Sequence, residues 1–233
     1  MYNNRRKKII GRYAAVIKFD DVKHDKAVLA YIKSADESLK ALGYTEHGLG
    51  HVGKVSDMAA DILSTLGYPE REVELARIAG LLHDIGNVVN RVKHSQSGAL
   101  MAFRILDRMG MEPDEIAKIV TAIGNHDEGE GVPVSDISAA LIIADKSDVR
   151  RSRVRVTDAA PDIHDRVNSS VDSAELKIDK EEKNLSLILK IDTSIASVME
   201  YFEIFLGRMM MCRKAAERLG LKFAIEINGQ KIF

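Results

Sequence analysis

A chain of 233 residues, 45% of them apolar, is long enough for one large domain, or one domain with a small appendage, and can fill a sizeable core. A net charge of −1 argues against a general nucleic-acid coat, which needs a clear basic excess. One cysteine, Cys212, excludes an internal disulfide and suits a reducing cytoplasm, and no apolar run approaches the roughly 18 residues that suggest a membrane span.

The chain opens with Arg5-Arg6-Lys7-Lys8 and Ile9-Ile10, whose apolar side is too short for a signal peptide; the cluster reads as a solvated tail. Residues 1–20 form an N-terminal extension in this reading, with Tyr13-Ala14-Ala15-Val16-Ile17 open between strand and short helix. Residues 21–42 predict a helix, from Val22, Leu29, Ile32, Ala35 and Leu39 at three- and four-residue steps, with Gly43 as its stop. A second amphipathic helix begins at His51 and carries Val52, Val55, Ala59, Ile62, Leu63 and Leu66 up to Gly67-Tyr68-Pro69. Residues 70–86 predict a third, with Val73, Ala76, Ala79, Leu82 and Ile85 inward and His83-Asp84 near its end.

Ser95 suits the cap of a helix running to Met109, with Leu100, Phe103 and Leu106 on its core side. Pro113 suits the first position of the next, which continues through Ile116, Ile119, Val120 and Ile123 to Gly124. Residues 125–134 read as a loop. Ser135 or Asp136 caps a further helix through Ile137, Ala140, Leu141 and Ala144. Residues 151–170 show no helical period and read as a linker or ordered loop. The period then becomes two. Leu176 and Ile178, then Leu185, Leu187, Leu189 and Ile191, flank a polar turn and predict a hairpin. A long helix at about 193–219 carries Val198, Phe202, Phe205 and Met209 on one side, and Phe223, Ile225 and Ile227 make a last strand. The Met209-Met210-Met211 run reads as core and interface packing. Tyr201 and Ile204, placed on the exposed side of the long helix, admit a homodimer contact. The fold class expected is mainly α: a helical bundle over 21–150, then a small α+β (β-β-α-β) unit over 171–233.

Histidines and aspartates gather at the ends of these helices. His51 opens one, His83 and Asp84 close another, and Asp145 lies at the end of a third. Four such ligands from three helices can converge on one cation, and imidazole mixed with carboxylate suits Mn, Fe, Co, Ni or Zn better than Ca or Mg. His94 and His126 add a second layer. With Asp84 as a bridge they can hold a second metal, with Asp127 or Glu128 completing it. If the helix of His51 extends backwards, His47 shares its face and serves as an outer ligand or substrate contact. Asp148 stands between a partner to a ligand and a solvated helix end, and His164 is a weaker candidate in a polar loop.

The order His51, His83-Asp84, Asp145 resembles the HD superfamily of metal-dependent phosphohydrolases over about residues 45–150, in His51-x-x-x-Val55, Leu82-His83-Asp84-Ile85-Gly86 and Ala144-Asp145-x-x-Asp148. His94-Ser95-x-x-Gly98 and Asn125-His126-Asp127-Glu128 resemble its two-metal branch, which includes the HD-GYP cyclic-dinucleotide phosphodiesterases. The resemblance implies that His51, His83, Asp84 and Asp145 hold one divalent ion and that Asp84, His94 and His126 contact another. The paired histidines and the Gly-Tyr-Pro ending of that branch are absent, so its substrate is not implied. Gly43-Tyr44-Thr45-Glu46-His47-Gly48 and Ser152-Arg153-Val154 are closer to a prokaryotic HD group, a likeness that reaches Asp162-Ile163-His164 and brings no substrate with it.

The activity so implied is hydrolysis of a phosphoester, of a nucleotide or another small phosphorylated molecule, with Asp84 central. Lys146, Arg150, Arg151 and Arg153 follow Asp145 closely and supply charge for phosphate, Lys146 and Arg150 at the reaction itself. Two other functions fit the same scaffold: a di-iron oxygenase, as some HD relatives are, and a non-catalytic nucleotide-sensing module.

Overall fold

The computed structural model describes residues 16–155 and 163–232. The basic cluster at Arg5–Lys8, most of the stretch 13–17 and Asp162 lie outside them. Among the described residues the chain is mainly helical, with nine α-helices and a four-stranded sheet toward the C-terminal end.

Two helices, α1 (Phe19–Lys23) and α2 (Lys26–Ala41), replace the single one expected over 21–42. Asp25 between them accepts hydrogen bonds from the N–H groups of Ala27 and Val28, a side-chain cap that starts a new helix. Val28 rather than Leu29 faces the core. The next helix, α3 (Leu49–Leu66), buries Val52, Val55, Ala59, Ile62 and Leu63. It lies along α4 (Glu70–Leu82) so closely that a Cβ on Gly80 would stand 2.6 Å from Ser56 Cα. His83 follows α4 directly, and a 3-10 turn spans Ile85–Val88.

The helix α5 (His94–Met109) corrects the expected core face, for Leu100 and Phe103 are exposed. Gly98, Ala102, Ile105 and Leu106 are buried instead. This face is built from small residues because the backbone of the 3-10 turn approaches it: a Cβ on Gly86 would lie 2.4 Å from Gly98 N. Pro113 starts α6 (Pro113–Gly124), and Ser135 caps α7 (Asp136–Ser147) by accepting from the Ser138 N–H at 3.1 Å. Ile137 through Ala144 are all buried, so α7 is covered on every side. It packs against α3, α4 and α6, and against the long C-terminal helix on its remaining side.

Residues 151–170 are not a loop throughout: a 3-10 turn spans Arg151–Arg153 and α8 covers Ile163–Ser170. So short a helix buries one large apolar side chain, Val167, and leaves no readable period. The hairpin is present as β1 (Val171–Asp179) and β2 (Asn184–Ile191), antiparallel, with Leu176 opposite Leu187. Ser197 and Glu200 form a capping box that starts α9 (Val198–Arg218) later than expected. This helix is the crossover between β2 and the parallel strand β3 (Lys222–Ile227), which pairs with the short β4 (Gln230–Lys231). Tyr201 is fully buried and donates its hydroxyl toward Met209 Sδ at 3.6 Å, and Ile204 packs on the core. Of the two residues that admit a homodimer contact, Tyr201 is therefore interior and Ile204 half-buried. Of the three methionines, Met209 and Met211 are buried and Met210 is exposed.

Candidate metal centre

Five segments deliver the imidazoles and carboxylates. His51 sits in the first turn of α3, His83 and Asp84 follow α4, His94 begins α5, His126 lies just past α6, and Asp145 is in the last turn of α7. The three histidines at helix ends anchor their rings on local carbonyls. The Nδ1 of His83 lies 2.8 Å from Gly80 O, that of His94 3.1 Å from Arg91 O, and that of His126 2.6 Å from Ile123 O. His51 uses a carboxylate instead, with Nδ1 2.8 Å from Asp148 Oδ2. These partners only accept, so each Nδ1 carries a proton and each Nε2 is the nitrogen left to offer a lone pair to a cation.

All four Nε2 atoms point at two carboxylates. The Oδ2 of Asp84 lies 3.3 Å from His83 Nε2 and 3.6 Å from His51 Nε2, while its Oδ1 lies 3.4 Å from His94 Nε2 and 4.0 Å from His126 Nε2. Asp145 Oδ1 lies 3.3 Å from His51 Nε2 and 3.7 Å from His83 Nε2. The Nε2 atoms of His51 and His83 are buried and have no hydrogen-bond partner. Those of His94 and His126 stand 3.2 Å apart, and Arg91 reaches the first at 3.4 Å. Facing lone pairs at that distance repel unless positive charge lies between them.

The electrostatics carry the same mark. Burial disfavours charge on His83, yet Asp84 and Asp145 push its pKa up to about 10. Burial and the neighbouring His83 charge press His126 down to about 3. Against their own burial, Asp84 is held well below the usual carboxylate range by His83, and Asp145 by Lys146 and His51. Two buried, ionised carboxylates ringed by imidazole lone pairs are a donor set for divalent cations. The donor atoms of His51, His83 and Asp145, and of His83, Asp84 and His126, each lie within 4.8 Å of one another.

The centre forms the floor of a cleft of about 560 Å³. His47 lines it, with its ring centroid 5.3 Å from that of His51. It does so from the turn before α3 rather than from a backward extension of the helix. Burial and the Arg153 charge hold His47 well below its usual pKa of 6.5. Asp127 stands 4.0 Å from His94 Nδ1, and Lys146 Nζ lies 2.7 Å from Asp145 Oδ2. Glu128 faces Lys146 at 3.7 Å, and His164 lines the cleft from α8. Asp148 is fully enclosed behind His51, where Lys54 and Arg150 meet its Oδ1 at 3.0 and 2.9 Å. Arg153 lines the cleft and donates to Glu46 O and Asp148 O at 2.9 and 2.8 Å.

Arg150 does not join this group. Its Nε is taken by Asp148 and its Nη1 by Ser152, and it is not among the residues that line the cleft, where it was expected. Arg151 likewise pairs with Asp172 outside it. Tyr44, Arg91, Phe205 and Arg208 line the cleft without having been anticipated. Arg91 could have been suspected from its place three residues before His94; nothing local distinguishes Arg208 from the other charges of α9.

Residues 48–152 match the model of the HD domain family. Over 208 residues the chain is 26% identical to an uncharacterized protein of Methanocaldococcus jannaschii, spanning 78% of this chain and 80% of that one. A crystal structure of a predicted HD superfamily hydrolase from an uncultured Thermotogales bacterium aligns with 28% identity and a TM-score of 0.44, over 55% of this chain and 69% of that one. Among the described residues no helix is long and apolar enough to cross a membrane. The ordered series His51, His83-Asp84 and Asp145 falls inside the segment 48–152 that matches the HD domain family.

Proposed function

We propose that this chain is a metal-dependent phosphohydrolase that holds two divalent ions and cleaves a phosphoester of a small molecule, a nucleotide among the candidates. The observation that carries the reading is the arrangement of four imidazoles whose Nδ1 atoms are tied down and whose Nε2 atoms converge on Asp84 and Asp145. In this assignment His51, His83, Asp84 and Asp145 hold one ion, while Asp84, His94 and His126 hold the other, with Asp84 as the bridge. Bound there, such ions supply Lewis-acid charge to a phosphoryl group and lower the pKa of coordinated water toward neutrality.

The rest of the work falls to the chain itself. Asp148 orients His51 and fixes its tautomer. Lys146, buried beside Asp145, brings a cation to the cleft floor, where negative charge builds on transferring phosphoryl oxygens. Arg91 stands over the His94 side and Arg153 over the His47 side. The cleft of about 560 Å³ has the size of a small-molecule site. Arg91, Lys146, Arg153 and Arg208 in the cleft lining offer partners to an anionic phosphoester.

Metal content by mass spectrometry, paired with a panel of phosphomonoesters and phosphodiesters under Mn, Fe, Co, Ni or Zn, tests the proposal. Hydrolysis of at least one substrate with one of these metals is expected. Oxygen uptake by anaerobically prepared, iron-loaded protein, without hydrolysis under any of the metals, would overturn it.

A further inference from the structure

The C-terminal helix α9 reaches into the cleft through Arg208, which lies well outside residues 48–152. Its guanidinium rests on the ring of Phe205, 4.6 Å from the centroid, so the head group is supported from below. Its Nε approaches Glu128 Oε1 to 2.7 Å, yet the angle is not that of a hydrogen bond, and the buried Nε is left without an acceptor. Glu128 is also shared, since the same Oε1 lies 3.7 Å from Lys146 Nζ. Lys146 in turn sits 2.7 Å from Asp145 Oδ2. A relay of alternating charge, Arg208, Glu128, Lys146 and Asp145, therefore runs from α9 to the metal centre.

A carboxylate pulled between two cations and aligned with neither satisfies Arg208 poorly. A tetrahedral anion can take two parallel hydrogen bonds from the planar fork of a guanidinium. We propose that Arg208 is an anion clamp contributed by the C-terminal helix, a specificity-determining residue that holds a phosphate group of the ligand, and that Glu128 covers this clamp until the ligand displaces it. The identity of the anion rests on the phosphohydrolase reading above; the clamp itself rests on the contacts of Arg208.

Inorganic phosphate is the probe. Titration calorimetry on the metal-replete full chain compares the wild type with Arg208→Ala, Arg208→Lys and Glu128→Gln, with metal content and thermal unfolding followed for each. Losing a charge-assisted pair of hydrogen bonds weakens phosphate binding by about 10- to 100-fold in Arg208→Ala, at unchanged metal content. Arg208→Lys keeps part of the affinity, because charge remains and the fork is lost. Glu128→Gln tightens binding, because the competing charge is gone. Phosphate affinity unchanged in Arg208→Ala, lost only together with metal, or absent in the wild type overturns the clamp. Should the wild type bind phosphate through Arg208 yet hydrolyse no phosphoester, the hydrolase reading fails and the clamp stands. Should Arg208→Ala hydrolyse its substrate at wild-type KM, the clamp fails and the hydrolase reading stands.

Discussion

Asp84 gives its two carboxylate oxygens to two different histidine pairs, so its loss should be felt on both sides of the centre. Asp84→Ala is expected to abolish metal-dependent hydrolysis and to lower the bound metal while circular dichroism stays native; full turnover by a metal-replete variant would sink the assignment. Asp148 is the complementary case, because it touches His51 and not the carboxylates opposite. Its Oδ2 accepts from His51, and its Oδ1 meets Lys54 and Arg150. An asparagine can offer its oxygen to only one of these sides, and its NH2 then faces a donor on the other. Asp148→Asn should therefore weaken metal binding by about 10- to 100-fold, read by competition with a chelator, with folding retained. Metal affinity within a factor of two of wild type would show that His51 needs no orienting carboxylate. The types and order of the site residues, from His51 to Asp145, are legible in the sequence because each stands at a helix end. For Asp148 the sequence leaves a ligand's partner and a solvated helix end both open, because 97 positions separate it from His51 and only the packing of α7 on α3 joins them.

At the scale of elements, the tight contact between the 3-10 turn after His83-Asp84 and the start of α5 sets the spacing of the two halves of the site. Gly86 makes it possible. A Cβ there would fall 2.0 Å from His94 O and 2.4 Å from Gly98 N, both backbone atoms that no rotamer change can move. Gly86→Ala must push α5 away, and His94 with it. The expected cost is about 1–3 kcal/mol of unfolding free energy, measured by urea denaturation, with metal content reduced toward one site's worth. A variant as stable as wild type with a full complement of metal would show that the turn can yield without moving the ligand. The same contact explains why the face of α5 was misread. Apolar bulk at Leu100 and Phe103 fits a helical period, but the buried face is the one that carries Gly98 and Ala102, where lack of volume lets backbone approach backbone. Periodicity detects burial of large side chains and passes over burial of small ones. It served well for α3, whose interface is Val52, Val55, Ala59, Ile62 and Leu63.

For the whole molecule, the proposed ligands come from segments between His51 and Asp145, and α7, which brings the last of them, is sheathed by α3, α4, α6 and α9. That α9 covers α7 could not be read from sequence, because an apolar stripe on a helix does not name its partner, and Tyr201 was placed outside for that reason. On the proposed assignment, metal binding and global stability are coupled. Cations bound among these segments tie α3, α4, α5, α6 and α7 together, and they favour the folded state by mass action, by about 2.7 kcal/mol per site when free metal stands at a hundredfold excess over its Kd. Without them the chain keeps two ionised, buried carboxylates in company, and His83 must take a proton to answer them. Chelation should therefore lower Tm, and titrating back the metal that supports hydrolysis should raise it in steps with metal concentration. The same titration on Asp84→Ala should give a flatter curve, because the bridging carboxylate is gone. A Tm indifferent to chelator and metal in the wild type would mean that these ligands hold no ion with useful affinity, and would overturn the metal centre itself.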